Sequence, residues 1–568
     1  MPIDDFRPRL ALRVGVTGHR DLNAKTCQEL RPRVRARLEQ IKHLAEQAAT
    51  ESQGVYDDDA PSILRAISPL AEGADRLFAE EAIDLGYDLE CPLPFDCREY
   101  RNDFANEISK RQFDELLAKA VAVFELDGSR RDEPAAYALV GQLVLDQCDI
   151  LLAIWDGKNA KGEGGTAEVV AHAKRRRIPV VWLHTDSGAL DTIITPNGSE
   201  DCGRGTCGGI DERMKDAVWG LLLPPRNPDP VGSLHLTERL LAPVLVRVWR
   251  LYERALTAGL RRSRSPADAP PESLAIHGFQ KQYASWDRSA NLLAGLYRGA
   301  FLLNYGLGVL AVFLAILGNA SCGDWGWAAG ESVTILIVIM LVASLRGRRW
   351  HLRTADCRYL AEQFRILCYS YPLGLAPCKP HPPAYYLPAE PGNSWVEWHS
   401  RAIVRQTPMP TAKVTDDYLK EHAKAIRKWV RGQIHYHDRN AAKLERIDHR
   451  THSWCWGFIA TAFVAALLAW TFHSAVEEYH AWLLLFTAGL PAASAAAHAI
   501  STQGEFRRLV DRSESMARGL RSSLSGLDPE AASSAAKLRC QTEYLAQVLL
   551  NEVADWQVLY RKPAPPPG

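Results

Sequence analysis

The sequence predicts an N-terminal α/β domain built on a parallel sheet and a C-terminal α-helical membrane region with four transmembrane helices. Residues 10–186 alternate short apolar segments with helical segments, which is typical of parallel strands joined by crossover helices. Beyond Arg298, four apolar segments without charged residues follow, in two closely spaced pairs. The 568 residues are enough for several domains.

Six strands are predicted in the α/β domain, each followed by a helical or polar segment. The strands are 12–17, 63–68, 88–92, 120–125, 150–155 and 179–184. The helical segments between them include 26–50, 75–85 and 134–147. This alternation predicts a Rossmann-like sheet with helices on both faces.

Changes in composition predict six segments along the chain. Residues 1–190 form the α/β domain, 191–275 a loop, a helix and a linker, 276–375 a first two-span unit, 376–414 a Pro-rich connector, 415–530 a second two-span unit, and 531–568 a C-terminal helix and tail. The helix of the second segment is predicted at 236–262, before the linker "SRSPADAPPES".

The four predicted spans differ in length. Three of the four predicted spans carry no charged residue over their whole length, which is rare in the helices of soluble proteins. These are 299–323, 451–476 and 479–504. The remaining segment, 332–345, is too short alone, but the preceding "WGWAAG" extends it and places tryptophans at the membrane interface. Four buried helices of a large soluble core are the alternative interpretation.

The two pairs of spans belong to an internal repeat. "WDRSANLL" resembles "HDRNAAKL", and Asp287 and Asp438 are 438 − 287 = 151 residues apart. After the spans, "RYLAEQFR" (358–365) falls near "DRSESMAR" (511–518), with the register off by two residues. The membrane region is therefore predicted to be a duplicated unit of amphipathic helix, two spans and amphipathic helix.

The distribution of charge predicts the orientation in the membrane. The short loops at 319–330 and 473–480 carry acids but no Lys or Arg, whereas arginines flank the outer ends of both pairs. Positive residues stay in the cytoplasm. We therefore expect a multi-pass protein of the inner (cytoplasmic) membrane with both termini cytoplasmic.

Overall composition excludes some classes of partner and site. The formal net charge is zero, so we expect no nucleic-acid partner. The 12 cysteines include no CxxC pair, so we expect neither a metal site nor a disulfide framework. The first ten residues lack an apolar segment, so we expect no signal peptide.

Three segments are predicted to form a ligand site at the carboxyl ends of the strands, where open parallel sheets bind ligands. These segments contain groups that bind phosphate: glycines, a hydroxyl, cationic side chains and the first amides of a helix. Their carboxylates can accept hydrogen bonds from ribose hydroxyls. The candidate ligand-binding residues are Thr17, Gly18, His19, Arg20, Glu72, Gly73, Asp75, Arg76, Asp156, Gly157, Gly164, Gly165, Thr166 and Glu168. Taken singly, Gly18 also fits a simple turn, Asp75 a helix cap and Glu168 a first-turn acid.

These segments carry a resemblance to a known family. "VTGHR", "LAEGADR" and "WDGKNAKGEGGTAEVV" resemble the SLOG superfamily of nucleotide-binding Rossmann-like domains, which is related to the DprA and LOG proteins. The duplicated spans, with "RYLAEQFR" after the first pair, are similar to SLATT domains, which are two-span membrane effectors. The resemblance implies a domain that senses a nucleotide-derived signal and helices that permeabilise the host membrane in antiviral defence.

One departure from the family pattern separates a sensor from an enzyme. LOG-type hydrolases carry a catalytic Glu in "PGGxGTxxE", and the corresponding position here is Val169, one residue after Glu168. We therefore expect no catalytic residue and favour a receptor. An N-glycosidase or base-transfer enzyme stays open, because Asp156-Gly157 also resembles deoxyribosyltransferases; Arg98 or Arg101 would then assist.

The expected partners follow from both arguments. The resemblance implies an ADP-ribose-like or cyclic-nucleotide second messenger, made by a separate signal-generating enzyme, and no cofactor. Few polar residues lie in the spans, so four spans cannot enclose a wide pore alone, and we expect a homo-oligomer in the lipid bilayer. A transporter or a passive membrane anchor is the third interpretation.

Overall fold

A computed structural model describes residues 7–52, 54–57, 59–158, 164–186, 190–195, 209–225, 235–259, 274–320, 325–377, 395–471, 483–528 and 534–561. Its N-terminal part is built on one eight-stranded sheet. The strands are β1 (Ala11–Gly18), β2 (Ile63–Ile67), β3 (Asp88–Leu93), β4 (Ala122–Glu125), β5 (Ile150–Trp155), β6 (Val180–His184), β7 (Thr192–Ile194) and β8 (Ala412–Lys413). The six predicted strands are confirmed to within two residues at each end.

The sheet order is β7-β6-β5-β1-β2-β3-β4-β8. Every pair is parallel except β6 and β7, which confirms the predicted α/β class with a mostly parallel sheet. From β1 the chain builds outward through β2, β3 and β4, and then returns to place β5 on the other side of β1. The strand order therefore reverses between β1 and β5.

The first seven helices in chain order accompany the strands of the sheet. These are α1 (Ala24–Glu51), α2 (Ala74–Asp84), α3 (Cys97–Tyr100), α4 (Glu107–Ala118), α5 (Glu133–Gln147), α6 (Thr166–Arg175) and α7 (Ile210–Leu222). The others are α8 (Leu236–Leu256), α9 (Leu274–Ala320), α10 (Trp325–Gly347), α11 (Trp350–Ser370), α12 (Trp395–Gln406), α13 (Asp416–Thr471), α14 (Leu490–Gly504), α15 (Phe506–Ser525) and α16 (Ala535–Arg561).

Side-chain alternation along β1 places helices on both faces of the sheet. Val14 and Val16 pack with Val34 and Leu38 of α1, whose buried residues recur every three or four positions. On the opposite face, Gly15 lies against α5, because a Cβ added there would be 2.8 Å from the Cβ of Cys148, just beyond that helix. Helices α5 and α6 share a second apolar cluster on that face.

The predicted Pro-rich connector contributes to the sheet. Strand β8 pairs in parallel with β4, and α12 packs beside β1. Trp398 of α12 meets Tyr56 edge to face, with ring centroids 5.5 Å apart, and its Nε1 donates to the Leu222 carbonyl at 2.9 Å. The folded α/β unit therefore includes chain well beyond residue 190. A two-residue strand carries no detectable periodicity, so the pattern of residues did not predict it.

Three helices are long and apolar enough to cross a membrane, among the residues that the structure describes. These are Ile276–Asn319, Trp325–Gly347 and Asp416–Thr471. Helices α9 and α13 run without a break from the polar flanking segment into the apolar segment, where the sequence predicted two elements each. The fourth predicted span, 479–504, extends into residues outside the described ranges and stays a prediction.

The repeat is visible in the burial pattern of the two long helices. With the 151-residue offset, buried positions of α9 match buried positions of α13. The matching pairs are Phe279 and Val430, Gln282 and Gln433, Trp286 and His437, Ala290 and Ala441, Leu293 and Leu444, Leu296 and Ile447, and Ala300 and Thr451. Both repeats therefore use the same helix face.

A left-handed residue begins the last helix of each repeat. Arg349 (φ 46°) precedes α11 and Glu505 (φ 48°) precedes α15, which gives an offset of 505 − 349 = 156. At this offset buried residues coincide: Cys357 with Ser513, Leu360 with Met516, Ala361 with Ala517, and Phe364 with Leu520. The register predicted from "RYLAEQFR" and "DRSESMAR" was three residues short, because identity between them is too weak to fix it.

Candidate functional site

The reversal of strand order places the predicted site at the carboxyl ends of β1 and β5. Gly18 is the register partner of Ile154, so the loops that follow both strands leave the sheet side by side. In open α/β sheets, ligands bind in the crevice at this reversal. Helices α2 and α6 begin beside it, after β2 and β5.

Two glycines bring the β1 loop against the start of α2. A Cβ on Gly18 would lie 2.4 Å from the Cβ of Ala74, and a Cβ on Gly73 (φ 78°) would lie 2.4 Å from the Arg20 carbonyl oxygen. The amide of Ala74 donates to the His19 carbonyl at 3.1 Å. No side chain caps α2, so its first turn faces the loop through backbone amides.

His19 and Asp156 join the two sides of the crevice. His19 Nε2 lies 3.2 Å from the Asp156 amide nitrogen and 3.1 Å from the Asp156 carboxylate. Partial burial raises the pKa of Asp156, but the backbone and side chain of Lys158 and the His19 ring outweigh it and hold the pKa at about 2. Asp156 is therefore an ionised hydrogen-bond acceptor.

Arg20 places a cation over the crevice. Its guanidinium carbon lies 4.2 Å from the centre of the Tyr137 ring, in cation–π geometry. Partial burial lowers the pKa of Arg20, but Tyr100, Tyr137 and Asp75 together raise it above its usual value. The side chain keeps solvent-exposed surface and is permanently charged, and is thus suited to an anionic ligand.

Asp75 lies behind this cation. Its carboxylate accepts from the Ala71 amide at 3.3 Å, in the loop before α2, and so does not cap the helix as the sequence suggested. Burial raises the pKa of Asp75 to about 7, although Arg20, the Ala71 amide and Arg76 lower it. The charge beneath Arg20 therefore changes near neutral pH.

Glu72 and Arg76 attach α2 to α4. The Arg76 guanidinium donates to the Ser109 carbonyl at 3.0 Å and to its hydroxyl at 2.7 Å, and lies 4.2 Å from the Phe104 ring. Glu72 accepts from the same hydroxyl. These two predicted binding residues therefore position α2, and their side chains are engaged away from the β1–β5 crevice.

The glycine-rich loop packs against α5 and so positions the start of α6 beside it. Gly164 (φ 79°) has no room for a Cβ, which would lie 2.9 Å from the Ala138 nitrogen. Gly165 is the N-cap, no side chain caps α6, and Thr166 is its first residue. Glu168 accepts from the Gly164 amide at 2.7 Å and so holds the loop. Residues 159–163 lie outside the described ranges.

An aromatic shelf that the sequence interpretation missed adjoins Asp156. We define it as Trp155, Trp182 and His184: the two indole rings are 5.4 Å apart and His184 lies 5.5 Å from Trp182. Gly157 (φ 78°) approaches Trp182, since a Cβ there would lie 3.0 Å from the ring. Aromatic residues at the ends of two neighbouring strands were the available signal.

One group of potential metal ligands lies elsewhere, among the residues that the structure describes. Asp96, Cys97 and Glu125 offer ligand atoms within 4.8 Å of one another. Asp96 already caps α3 through the Arg98 amide at 2.8 Å and pairs with Lys413, while Glu125 accepts from the Cys97 amide at 2.8 Å. These contacts explain why the three side chains lie together: they connect β8 to α3.

Comparisons with known proteins add no family to this description. No protein-family model matches the chain, and no curated protein matches it. The case for function therefore depends on the geometry above and on the motifs in the sequence.

Proposed function

We propose that this protein is a membrane effector of a prokaryotic antiviral system. Its SLOG-like domain senses a nucleotide-derived signal, ADP-ribose-like or cyclic, and its transmembrane helices oligomerise to permeabilise the inner membrane. The observation that supports this best is the convergence of Gly18, Gly73, Asp156 and Thr166 at the reversal of strand order. The signal is the product of a separate enzyme.

In the proposed complex each part of the nucleotide has a matching group. The phosphate lies at the amides that begin α2 and α6, near Arg20, because helix N-termini and guanidinium groups favour anions. The ribose hydroxyls donate to the ionised Asp156. The base lies on the aromatic shelf, as bases stack on exposed rings.

Three features favour a receptor over an enzyme. Val169, at the position of the hydrolase Glu, is buried between α6 and the sheet, and Glu168 is engaged by the loop amide. Asp156 has a pKa of about 2 and cannot donate a proton near neutral pH. Arg101 pairs with Asp114 at 3.0 Å. N-glycosidic cleavage is the second candidate: release of free base that Glu168→Gln stops would establish it.

The signal has a short route from the crevice to the membrane. Arg13 of β1, the strand that ends in the crevice loop, donates to the Tyr371 hydroxyl at 3.3 Å. Tyr371 directly follows α11, and it donates to the Pro408 carbonyl at 2.7 Å. A ligand that favours one position of β1 would thus shift α11 and α12. We propose that α8 and the helices that flank the spans also transmit the signal.

The membrane helices meet across the repeat. A Cβ on Gly489 would lie 2.7 Å from the Phe313 ring, and the Tyr305 hydroxyl donates to Gln503 at 2.7 Å, so α9 packs against α14. Gly306 and Gly308 have no neighbour within 4 Å of an added Cβ. We propose that this open face of α9 receives another subunit, as small residues allow.

Pro491 lies within the fourth predicted span, 479–504. A π-helical turn at Leu485–Gly489 runs directly into α14, and Pro491 is the second residue of that helix. π-turns in helices commonly mark functional positions. We therefore propose the π-turn as the place where the helix rearranges on opening.

The test uses the full chain in liposomes, because α12 and β8 complete the α/β unit and a 1–190 fragment lacks them. ADP-ribose derivatives and cyclic oligonucleotides are added, and binding and dye leakage are measured together. Gly165→Leu should abolish both, because the bulky side chain closes the backbone approach of the ligand, while the φ of −80° at Gly165 is one that L residues adopt. The Ala493→Asp variant should bind the ligand but cause no dye leakage from the liposomes.

Three outcomes would contradict the proposal. Saturated binding without leakage at any protein density would support the membrane-anchor interpretation instead. Release of the intact protein by alkaline carbonate would show that it is not inserted in the inner membrane. Dye leakage that is unchanged in Gly165→Leu would show that the crevice is not the sensing site.

A further inference from the structure

Helix α8 has a second face that the fold leaves exposed. Its buried face carries Leu245, Trp249 and Leu256, which pack on α9 and α13. The exposed apolar residues are Leu236 (73%), Leu240 (69%), Val244 (56%) and Leu251 (58%). At about 100° per residue these four fall within roughly 80° of one another, so they form a single stripe.

Both ends of α8 lie where apolar segments begin or end. Near its start, Glu238 accepts from Trp350 Nε1 at 2.6 Å and from Arg353 at 2.8 Å, just after α10 ends at Gly347. At its end, Arg450 donates to the Leu256 carbonyl at 2.9 Å, just before the apolar segment of α13.

The middle of α8 crosses α9 at the same level. A Cβ on Gly299, the first residue after Arg298, would lie 2.0 Å from the Leu245 carbonyl oxygen. Helix α8 thus passes the bases of α10, α9 and α13 in turn, at the boundary of each apolar segment. A helix of 21 residues is about 32 Å long and lies along this boundary.

The exposed face is also cationic. Four exposed arginines adjoin the apolar stripe: Arg239, Arg247, Arg250 and Arg254. The two acids of α8 point inward, because Glu238 is buried against Arg353 and Glu253 pairs with Lys443. The exposed face therefore has apolar and positive residues and no carboxylate to repel an anionic surface.

We propose that α8 is an in-plane interfacial helix that binds anionic lipid headgroups on the cytoplasmic side. Its leucines and Val244 enter the boundary between headgroups and acyl chains, and its arginines bind lipid phosphates. The partner is a lipid surface, since the stripe continues the apolar surface of the candidate spans and α8 runs along their bases. The inference rests on membrane insertion of the helices but needs no nucleotide.

The test places a fluorophore on Leu240→Cys in the full chain, with the reactive native cysteines replaced by serine, in liposomes containing phosphatidylglycerol. Spin-labelled lipids should quench this probe at least twofold. The same probe on Ile108→Cys is the control, because Ile108 is 81% exposed but lies on α4 of the α/β domain. It should not be quenched.

Arg247→Gln with Arg250→Gln should reduce the quenching at position 240, and so should replacement of the anionic lipid by phosphatidylcholine. Equal quenching in both lipids would overturn the anionic preference. No quenching at position 240, in protein that resists carbonate extraction, would overturn the interfacial helix itself. Cross-linking between two copies through position 240 would overturn it too, in favour of a subunit interface. Carbonate-released protein would instead refute membrane insertion.

Discussion

Arg13 and Arg65 are register partners on β1 and β2, and both guanidinium groups donate to the carbonyl oxygen of Arg405 near the end of α12. Arg13 also donates to the carbonyls of Val404 and Thr407. The last carbonyls of a helix lack intrahelical partners and carry the negative end of its dipole. Two sheet arginines thus anchor a helix that comes from the C-terminal half of the chain.

We expect Arg13→Met to release α12 from the sheet. The substitution removes several buried hydrogen bonds between β1 and the end of α12, a change that costs about 3 kcal/mol. Hydrogen exchange of the α12 amides should accelerate by about two orders of magnitude. Arg111→Met on the exposed face of α4 is the control and should change nothing. Unchanged exchange in α12 would refute the anchoring role.

We expect Gly73→Ala to be far more damaging than Gly86→Ala. Both glycines have φ near 80°, so alanine costs about 1 kcal/mol of strain at either position. Only at Gly73 would the new Cβ also meet the His19 and Arg20 carbonyl oxygens, whereas at Gly86 it meets nothing within 4 Å. Hydrogen exchange at the start of α2 and ADP-ribose titration measure both effects; equal behaviour of the two variants would contradict the close approach.

We expect Asp75 to make the stability of α2 depend on pH. Its pKa is raised from 3.8 to about 7 in the folded chain, so the folded state keeps a proton that the unfolded state releases. The stabilisation is complete below pH 3.8 and declines as the pH rises to about 7, by at most about 1.4 kcal/mol per pH unit.

Asp75→Asn should remove this slope. The measurement is hydrogen exchange of α2 at pH 5, 6, 7 and 8, corrected for intrinsic rates, in the wild-type chain and the variant. If both show the same pH dependence, the carboxyl is ionised throughout and the proton assignment is incorrect.

We expect Gly489→Ala to change ligand-induced leakage while Gly306→Ala leaves the α9–α14 contact intact. The added methyl at Gly489 must displace Phe313, but at Gly306 it enters open space. Distances between labels on α9 and α14 should increase only in Gly489→Ala. An unchanged distance would mean that Phe313 rotates away and that the contact does not hold the repeats together.

The sequence alone determined the local elements and their order. Strand periodicity, glycines at strand ends and uncharged segments are signals carried by neighbouring residues, and they predicted β1 to β6, the apolar helices and the 151-residue offset. They also located the crevice, because the carboxyl ends of parallel strands meet at one edge of a sheet.

The tertiary structure alone decided which distant segments complete each part. Strand β8 joins β4 from 287 residues away (412 − 125), and the guanidinium of Arg76 on α2 donates to Ser109 of α4. The raised pKa of Asp75 arises from burial by surrounding elements. Such contacts depend on packing between segments far apart in the chain, so no local pattern of residues encodes them.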